Sequence, residues 1–112
     1  MDYPLEQELI DFIEDYYRGS PKSLKRRNIN PKTWGPHGWK FIDKIVQGYP
    51  TTASPGDRMA MLQFITSFTN VLPCKECREK HITFSSKYPP VNYVGGRVTL
   101  RRWFKMYRKA SS

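Results

Sequence analysis

Residues 72–80 read LPCKECREK and hold both cysteines of the 112-residue chain. Pro73 is a favoured first residue of a helix, so the stretch predicts a helix that begins there and carries Cys74 and Cys77 on its first turn. Cysteines three positions apart lie on one helical face, where they can form a small disulfide ring. The unpaired amides and positive dipole end of the helix would stabilise their thiolates, as thiol-disulfide exchange requires.

Other interpretations of the cysteine pair remain open at this point. The loop between the cysteines is too short to make the disulfide a useful structural staple. A thioredoxin-like motif would need a preceding strand, whereas a helical pattern precedes this pair. A zinc site would use Cys74, Cys77, His81 and His37, the only histidines in the chain, as four ligands. Taken alone, His81 is expected to be a solvated helix histidine.

The residues before the cysteine pair predict two helices. One spans roughly 55–72, with Ser54 as N-cap, Pro55 in first position and Asp57 in the first turn. Its inward residues are expected to be Met61, Phe64 or Ile65, Phe68, and Val71 or Leu72. The other spans about 36–48, with Asn30-Pro31 and Gly35-Pro36 marking its start, and directs three residues inward: Trp39, Ile42 and Val46.

The residues after the cysteine pair predict a loop and a final helix. Tyr88-Pro89-Pro90 and Gly95-Gly96 bracket the loop. The helix, over about 97–109, has basic residues on one face and apolar residues on the other: Leu100, Trp103, Phe104 and Tyr107. No strand-like alternation is sustained, so the fold class is all-α, a four-helix bundle with a short additional helix.

The N-terminal part has a different composition. Residues 4–18 predict an acidic helical extension, and residues 22–30 predict a basic linker or an arm across the surface. We therefore divide the chain into an N-terminal segment, 1–29, and a helical domain, 30–112. Residues 1–18 carry a net charge of −5, and the remainder carries +14.

The charge and hydropathy patterns limit the function classes. The basic remainder would attract polyanions, but no recognised nucleic-acid motif is present, so nucleic-acid binding ranks last. The acidic start does not fit a signal peptide, and no apolar run is long enough for a membrane span. A cytoplasmic protein is expected.

Oxidation of thiols by molecular oxygen requires an electron acceptor that side chains do not supply, hence a cofactor. An isoalloxazine ring would need a slot between helices with aromatic walls. The candidates for these walls are Trp34, Trp39, Phe64, Phe68, Trp103 and Tyr107, which otherwise fill a core.

The sequence resembles the Erv/ALR sulfhydryl oxidases, in particular the minimal versions of large DNA viruses. The resemblance covers roughly residues 30–110 and is carried by Trp34-Gly35-Pro36, Trp39, Tyr49-Pro50, Gln63-Phe64-Ile65, Phe68 and the stretch 72–77. It implies a homodimeric bundle that binds FAD. It also implies that a substrate thiolate attacks Cys74, that Cys77 faces the flavin, and that oxygen leaves as hydrogen peroxide.

The cofactor-binding residues that the resemblance implies are Gly35, Trp39, Asp43, Cys77, Trp103, Arg108 and Lys109. Asp43 stands where the family commonly has His, and Arg108-Lys109 stand where it has His-Asn. A later Asn of the family falls at Ser112. The two basic side chains could pair with the FAD diphosphate.

The resemblance also implies partners and a location. The family often carries a second, shuttle cysteine pair, which this chain lacks, so a thiol-containing protein or an intermediary redox protein is expected to reach Cys74 directly. The location is then the host cytoplasm or the virion. The changed family positions leave a second hypothesis open, an FAD-less bundle that acts as a binding or assembly module.

Overall fold

The computed structural model describes residues 27–112, which form four α-helices and one 3-10 turn. The helices are α1 (Pro31–Gln47), α2 (Pro55–Val71), α3 (Lys75–Lys87) and α4 (Arg97–Ser111), and the turn is η1 (Pro90–Asn92). No strand occurs among the described residues, so the predicted all-α fold class is confirmed. The helix predicted over 4–18 lies outside these residues, and the division at residue 29 stays a prediction.

Helix α1 begins earlier than the sequence analysis predicted. The Asn30 side chain accepts a hydrogen bond of 3.0 Å from the Lys32 amide, and Pro31 takes the first helical position. The prediction chose Gly35-Pro36 as the start, but Pro36 lies inside the helix. Proline at this sixth helical position has no amide to donate to the carbonyl oxygen four residues earlier, so α1 continues through it with one backbone hydrogen bond fewer.

Helix α2 begins where it was predicted. The Ser54 hydroxyl accepts from the Asp57 amide at 3.1 Å, and the Asp57 carboxylate accepts from the Ser54 amide at 3.1 Å. This reciprocal capping box satisfies two amides that the helix leaves unpaired. Met61 and Ile65 are buried as expected, whereas Val71 is 66% exposed and Leu72 is half-buried at the C-cap.

Helix α3 begins at Lys75, and the prediction that Pro73 is its first residue is wrong. Cys74 is the N-cap, with an extended backbone (φ −162°, ψ 114°), and its Sγ atom accepts from the Cys77 amide at 3.2 Å. An extended backbone at Cys74 is not helical, so the helix begins after Cys74 and Pro73 lies outside it.

Helix α4 provides the centre of the core. All four predicted inward residues are buried, and Leu100 and Trp103 have no exposed surface. The indole of Trp103 donates to the Tyr88 carbonyl oxygen at 2.8 Å, which satisfies its buried polar group. Helix α4 packs against α1 and α3, and α3 packs against α2. Within residues 27–112, no helix is long and apolar enough to cross a membrane.

Candidate redox site

The two cysteines form a disulfide at the start of α3. Their Cα atoms lie 5.2 Å apart, with Cys74 at the N-cap and Cys77 at the third helical position. Cys74 is 9% exposed and Cys77 is half-buried. The disulfide therefore lies at a helix N-terminus, where amides and the helix dipole favour a thiolate once the bond opens.

A cavity of about 540 Å³ opens against this disulfide, and we call it the cysteine cavity. Both cysteines contribute to its wall, together with Gly35 and Leu72. Five aromatic residues predicted for a flavin slot also line it: Trp34, Trp39, Phe64, Phe68 and Tyr107. Helices α1, α2 and α4 thus bring apolar rings to the disulfide from three sides.

Trp103, the sixth aromatic candidate, does not line the cysteine cavity. Its ring lies behind Tyr107, with 5.5 Å between the two ring centroids, and it is fully buried in the core. Trp103 therefore supports the cavity wall through Tyr107, while Tyr107 itself faces the cavity.

A second cavity, of about 380 Å³, lies on the other side of Trp39, and we call it the basic cavity. Asp43 and Arg108, both predicted cofactor residues, line it with Arg101 and Lys105. The Arg108 guanidinium lies 5.3 Å from the centroid of the Trp39 ring, a distance at which cation and ring attract each other.

Sequence reasoning missed Arg101 and Lys105. The signal was available, since positions 101, 105 and 108 repeat at helical spacing and hence share one face of α4. Both belong to the basic face predicted for this helix, but only Arg108 and Lys109 of that helix were expected to contact a cofactor through their charges. Their position beside Asp43 and Trp39 follows from the packing of α4 against α1.

Lys109 points elsewhere. It lines an open groove of about 620 Å³ between α3 and α4, together with Glu76, Glu79 and Lys80. Glu76 and Lys80 also line the cysteine cavity and form an ion pair with each other at 3.4 Å. The structure therefore separates Lys109 from Arg108, although the two are neighbours in sequence.

The expectation of a solvated His81 is wrong. The side chain is 2% exposed and contacts the rings of Phe68 and Tyr107, with centroid distances of 5.2 and 4.9 Å. Burial lowers the pKa of His81 to about 4, so the ring is neutral near pH 7. No cluster of three or more metal-ligating side chains occurs among residues 27–112, where Cys74 and Cys77 are joined to each other in a disulfide.

The described end of the predicted linker contacts the redox turn. The Ile29 amide donates to the Pro73 carbonyl oxygen at 2.7 Å, and the Asn28 side chain accepts from the Lys75 amide at 3.0 Å. Of the two alternatives for residues 22–30, an arm across the surface agrees with these contacts. Nothing in the sequence pattern indicated that the arm reaches the cysteines.

Comparison with known proteins places the chain in a family. The sequence model of the Erv1/Alr family matches residues 36–108. The chain is 33% identical over 76 residues to a probable FAD-linked sulfhydryl oxidase of Acanthamoeba polyphaga mimivirus, covering 67% of this chain and 53% of that protein. It is 38% identical over 77 residues to a putative FAD-linked sulfhydryl oxidase of Invertebrate iridescent virus 3, covering 69% and 52%.

The chain thus spans about half the length of these curated relatives. The matched residues include α2, α3 and both cysteines, and they stop three residues before the end of α4. The family model matches well over half of the chain, and the disulfide and four of the five aromatic residues of its cavity lie in the matched part, whereas Trp34 lies before it. The chain is a member of the Erv1/Alr family.

Proposed function

We propose that the chain is an FAD-dependent thiol oxidase that forms disulfides in protein substrates. The observation that carries the proposal is the opening of the Cys74–Cys77 disulfide onto an apolar cavity with five aromatic side chains. The names of the two viral relatives support it. Oxygen is the final electron acceptor in this proposal, and hydrogen peroxide is the product.

The chain's own residues perform the exchange step. A substrate thiolate attacks the Sγ atom of Cys74, a mixed disulfide forms, and the Cys74–Cys77 bond breaks with Cys77 leaving as the thiolate. A second substrate thiolate then attacks the substrate sulfur of the mixed disulfide and releases Cys74. The substrate has lost two electrons and the protein pair has gained them as a dithiol.

The positive end of α3 stabilises the thiolate that leaves. When bound, FAD would supply the two-electron acceptor that returns the dithiol to the disulfide, with oxygen as the final oxidant. The role of the protein is to hold Cys77 at the wall of the site and to limit access of water there.

The two cavities fit the two chemical halves of FAD. The cysteine cavity, at about 540 Å³, falls within the range of small-molecule sites, and its aromatic walls suit a planar ring. The basic cavity places Arg101, Lys105 and Arg108 on its wall, which suits a diphosphate. We propose that the ring lies against the disulfide and that the diphosphate contacts the basic cavity, with Trp39 between them.

Flavin content tests this assignment directly. Purified protein is expected to be yellow and to release nearly one FAD per chain on heating. Arg108→Gln is expected to weaken FAD retention by about tenfold in equilibrium dialysis, the effect of losing one charge-assisted contact. Lys109→Gln is the matched control, because it removes the same charge one residue along but on the other groove.

A colourless protein that takes up no added FAD would contradict the oxidase proposal and favour the FAD-less binding module. Equal loss of FAD in the Arg108 and Lys109 variants would contradict the position of the diphosphate but leave the cofactor itself in place. The two failures are therefore distinguishable.

Substitution of the cysteines tests the exchange step. Cys74→Ser and Cys77→Ser are each expected to abolish oxidation of a dithiol substrate, since neither variant can form the disulfide that accepts the electrons. Helical content by circular dichroism should stay at the wild-type level, because the cysteines add little to the core. Full oxidase activity in either variant would refute the mechanism.

The remaining partners are proposals as well. We propose a homodimer in the host cytoplasm or the virion, acting on a thiol-containing protein or an intermediary redox protein. Phe41 lies on the outer wall of the cysteine cavity, and its side chain is 65% exposed. An exposed aromatic ring at this position supports a partner subunit that covers it. Light scattering gives the mass, and a monomer at micromolar concentration would contradict the dimer.

A further inference from the structure

Residues Asn28–Asn30 form a short segment that crosses the redox turn, and we call it the strap. It lies outside the residues that match the Erv1/Alr family model, which begin at residue 36. Ile29 donates its amide to the Pro73 carbonyl oxygen at 2.7 Å, and Asn28 accepts from the Lys75 amide at 3.0 Å. The strap therefore bonds to the residue before Cys74 and to the residue after it.

The Asn28 bond has a defined role at the start of α3. The Lys75 amide belongs to the first helical residue and has no partner within the helix, as is general for the first turn. Cys74, the N-cap, uses its sulfur for the Cys77 amide, so it does not serve the Lys75 amide. Asn28 thus accepts, from outside the helix, the hydrogen bond of an amide that the side chain of the N-cap cysteine does not reach.

The other end of the strap is fixed to the cavity wall. The Ile29 carbonyl oxygen accepts from the indole nitrogen of Trp34 at 3.0 Å, and Trp34 lines the cysteine cavity. Asn30 then caps α1 through the Lys32 amide. The strap connects the start of α1, the cavity wall and the redox turn through hydrogen bonds of all three of its residues.

We propose that Asn28 is a positioning residue for the redox pair: its bond to the Lys75 amide holds Cys74 in its N-cap conformation in the disulfide and loosens when reduction lets the turn open. Two sulfurs kept in reach of each other re-form their bond more readily than two that move apart. The strap therefore shifts the equilibrium between dithiol and disulfide toward the disulfide. The importance of this for catalysis rests on the proposed function, but the equilibrium does not.

Equilibration with glutathione in the absence of oxygen measures the effect directly at the cysteine pair. One protein disulfide and two glutathione molecules give one protein dithiol and one glutathione disulfide, so atoms and electrons balance. Asn28→Ala is expected to shift this equilibrium toward the dithiol by about two- to tenfold, the range for loss of one hydrogen bond. Tenfold corresponds to about 30 mV for a two-electron couple.

Two variants make the result specific. Asn28→Asp keeps an accepting oxygen and is expected to restore the wild-type equilibrium, including at about 0.5 M salt, where its added charge is screened. Asn92→Ala, at an exposed asparagine in η1 away from the disulfide, is expected to change nothing. Hydrogen exchange at the Lys75 amide should accelerate in Asn28→Ala and recover in Asn28→Asp.

An unchanged equilibrium in Asn28→Ala would overturn the proposal, even if exchange at Lys75 accelerated, because the strap would then be structural only. Equal shifts in Asn28→Ala and Asn28→Asp would also overturn it, since the accepting oxygen would not matter. With oxygen excluded, both results are read from the cysteine pair whether or not the chain holds FAD. Failure of this inference and failure of the proposed oxidase function are therefore separate outcomes.

Discussion

Acid is expected to destabilise the bundle through one side chain, His81. The ring is buried between α2, α3 and α4 and contacts Phe68, Trp103 and Tyr107. Its Nε2 atom lies 3.3 Å from the Ser85 hydroxyl, and its Nδ1 atom has no hydrogen-bond partner among the described residues. A proton added to this ring would place a charge in an apolar environment.

The magnitude follows from the shift in pKa. Burial lowers the pKa of His81 from its ordinary value of 6.5 to about 4. The folded state therefore resists a proton that the unfolded chain accepts. The contribution of neutral His81 to the free energy of unfolding is fully present above pH 6.5, decreases as the pH falls, and is gone below pH 4. The total loss is about 3 kcal/mol, at about 1.4 kcal/mol for each unit of pKa shift.

Urea unfolding at pH 7, 6, 5 and 4 measures this loss. The variant His81→Phe keeps an aromatic ring against the three neighbours and removes the titrating group. The variant's stability at pH 7 does not matter for the test. Between pH 7 and pH 4, the free energy of unfolding should fall by about 3 kcal/mol more in wild type than in the variant. Tyr107 does not interfere, because burial raises its pKa to about 12.

The matched control is His37→Gln, at the exposed histidine of α1, which should follow the wild-type curve. Carboxylates that titrate in the same range act equally in all three proteins and cancel in the difference. Parallel loss of stability in wild type and His81→Phe would refute the reasoning, because it would show that burial does not hold the ring neutral.

Two further substitutions test the fold. Gly96→Ala should destabilise the bundle by about 2 kcal/mol or more in urea unfolding, because a Cβ atom there would overlap the Thr51 carbonyl oxygen. Gly95→Ala should have little effect, because a Cβ atom at residue 95 would have nothing within 4 Å. Equal effects of the two would contradict this packing. Ser54→Ala should cost about 1 kcal/mol by removing the capping box with Asp57, and an unchanged urea midpoint would show that the box contributes nothing.

Much of the fold could be predicted from the sequence because local signals agreed with packing. Helix α2 has its N-cap, its proline and its first-turn acid in sequence, and α4 has its apolar residues at helical spacing. The start of α1 was misplaced because both Asn30-Pro31 and Gly35-Pro36 mark a helix start, and the Asn30 side-chain cap begins the helix at the first pair. The start of α3 was missed because a cysteine serves as N-cap, a role that sequence preferences assign to Ser, Thr, Asp or Asn.

The site was predictable where chemistry and spacing coincide. The cysteine pair and five of the six aromatic candidates meet at one cavity, as the sequence analysis expected of a flavin slot. The rest depends on how helices pack. His81 is buried although its neighbours Lys80 and Ile82 are exposed, and Arg108 and Lys109 diverge to different cavities because successive residues of a helix point about 100° apart.

The redox pair is also the start of its own helix, and this sets two opposing influences on the disulfide. The Cys74 sulfur accepts from the Cys77 amide. After reduction the same sulfur can carry a negative charge, which strengthens that bond and favours the dithiol. The strap acts in the other direction, because Asn28 keeps the turn closed and favours the disulfide. The equilibrium between dithiol and disulfide then depends on two hydrogen bonds, the one from the Cys77 amide to the Cys74 sulfur within α3 and the one from the Lys75 amide to Asn28. A substitution at Asn28 changes only the second bond.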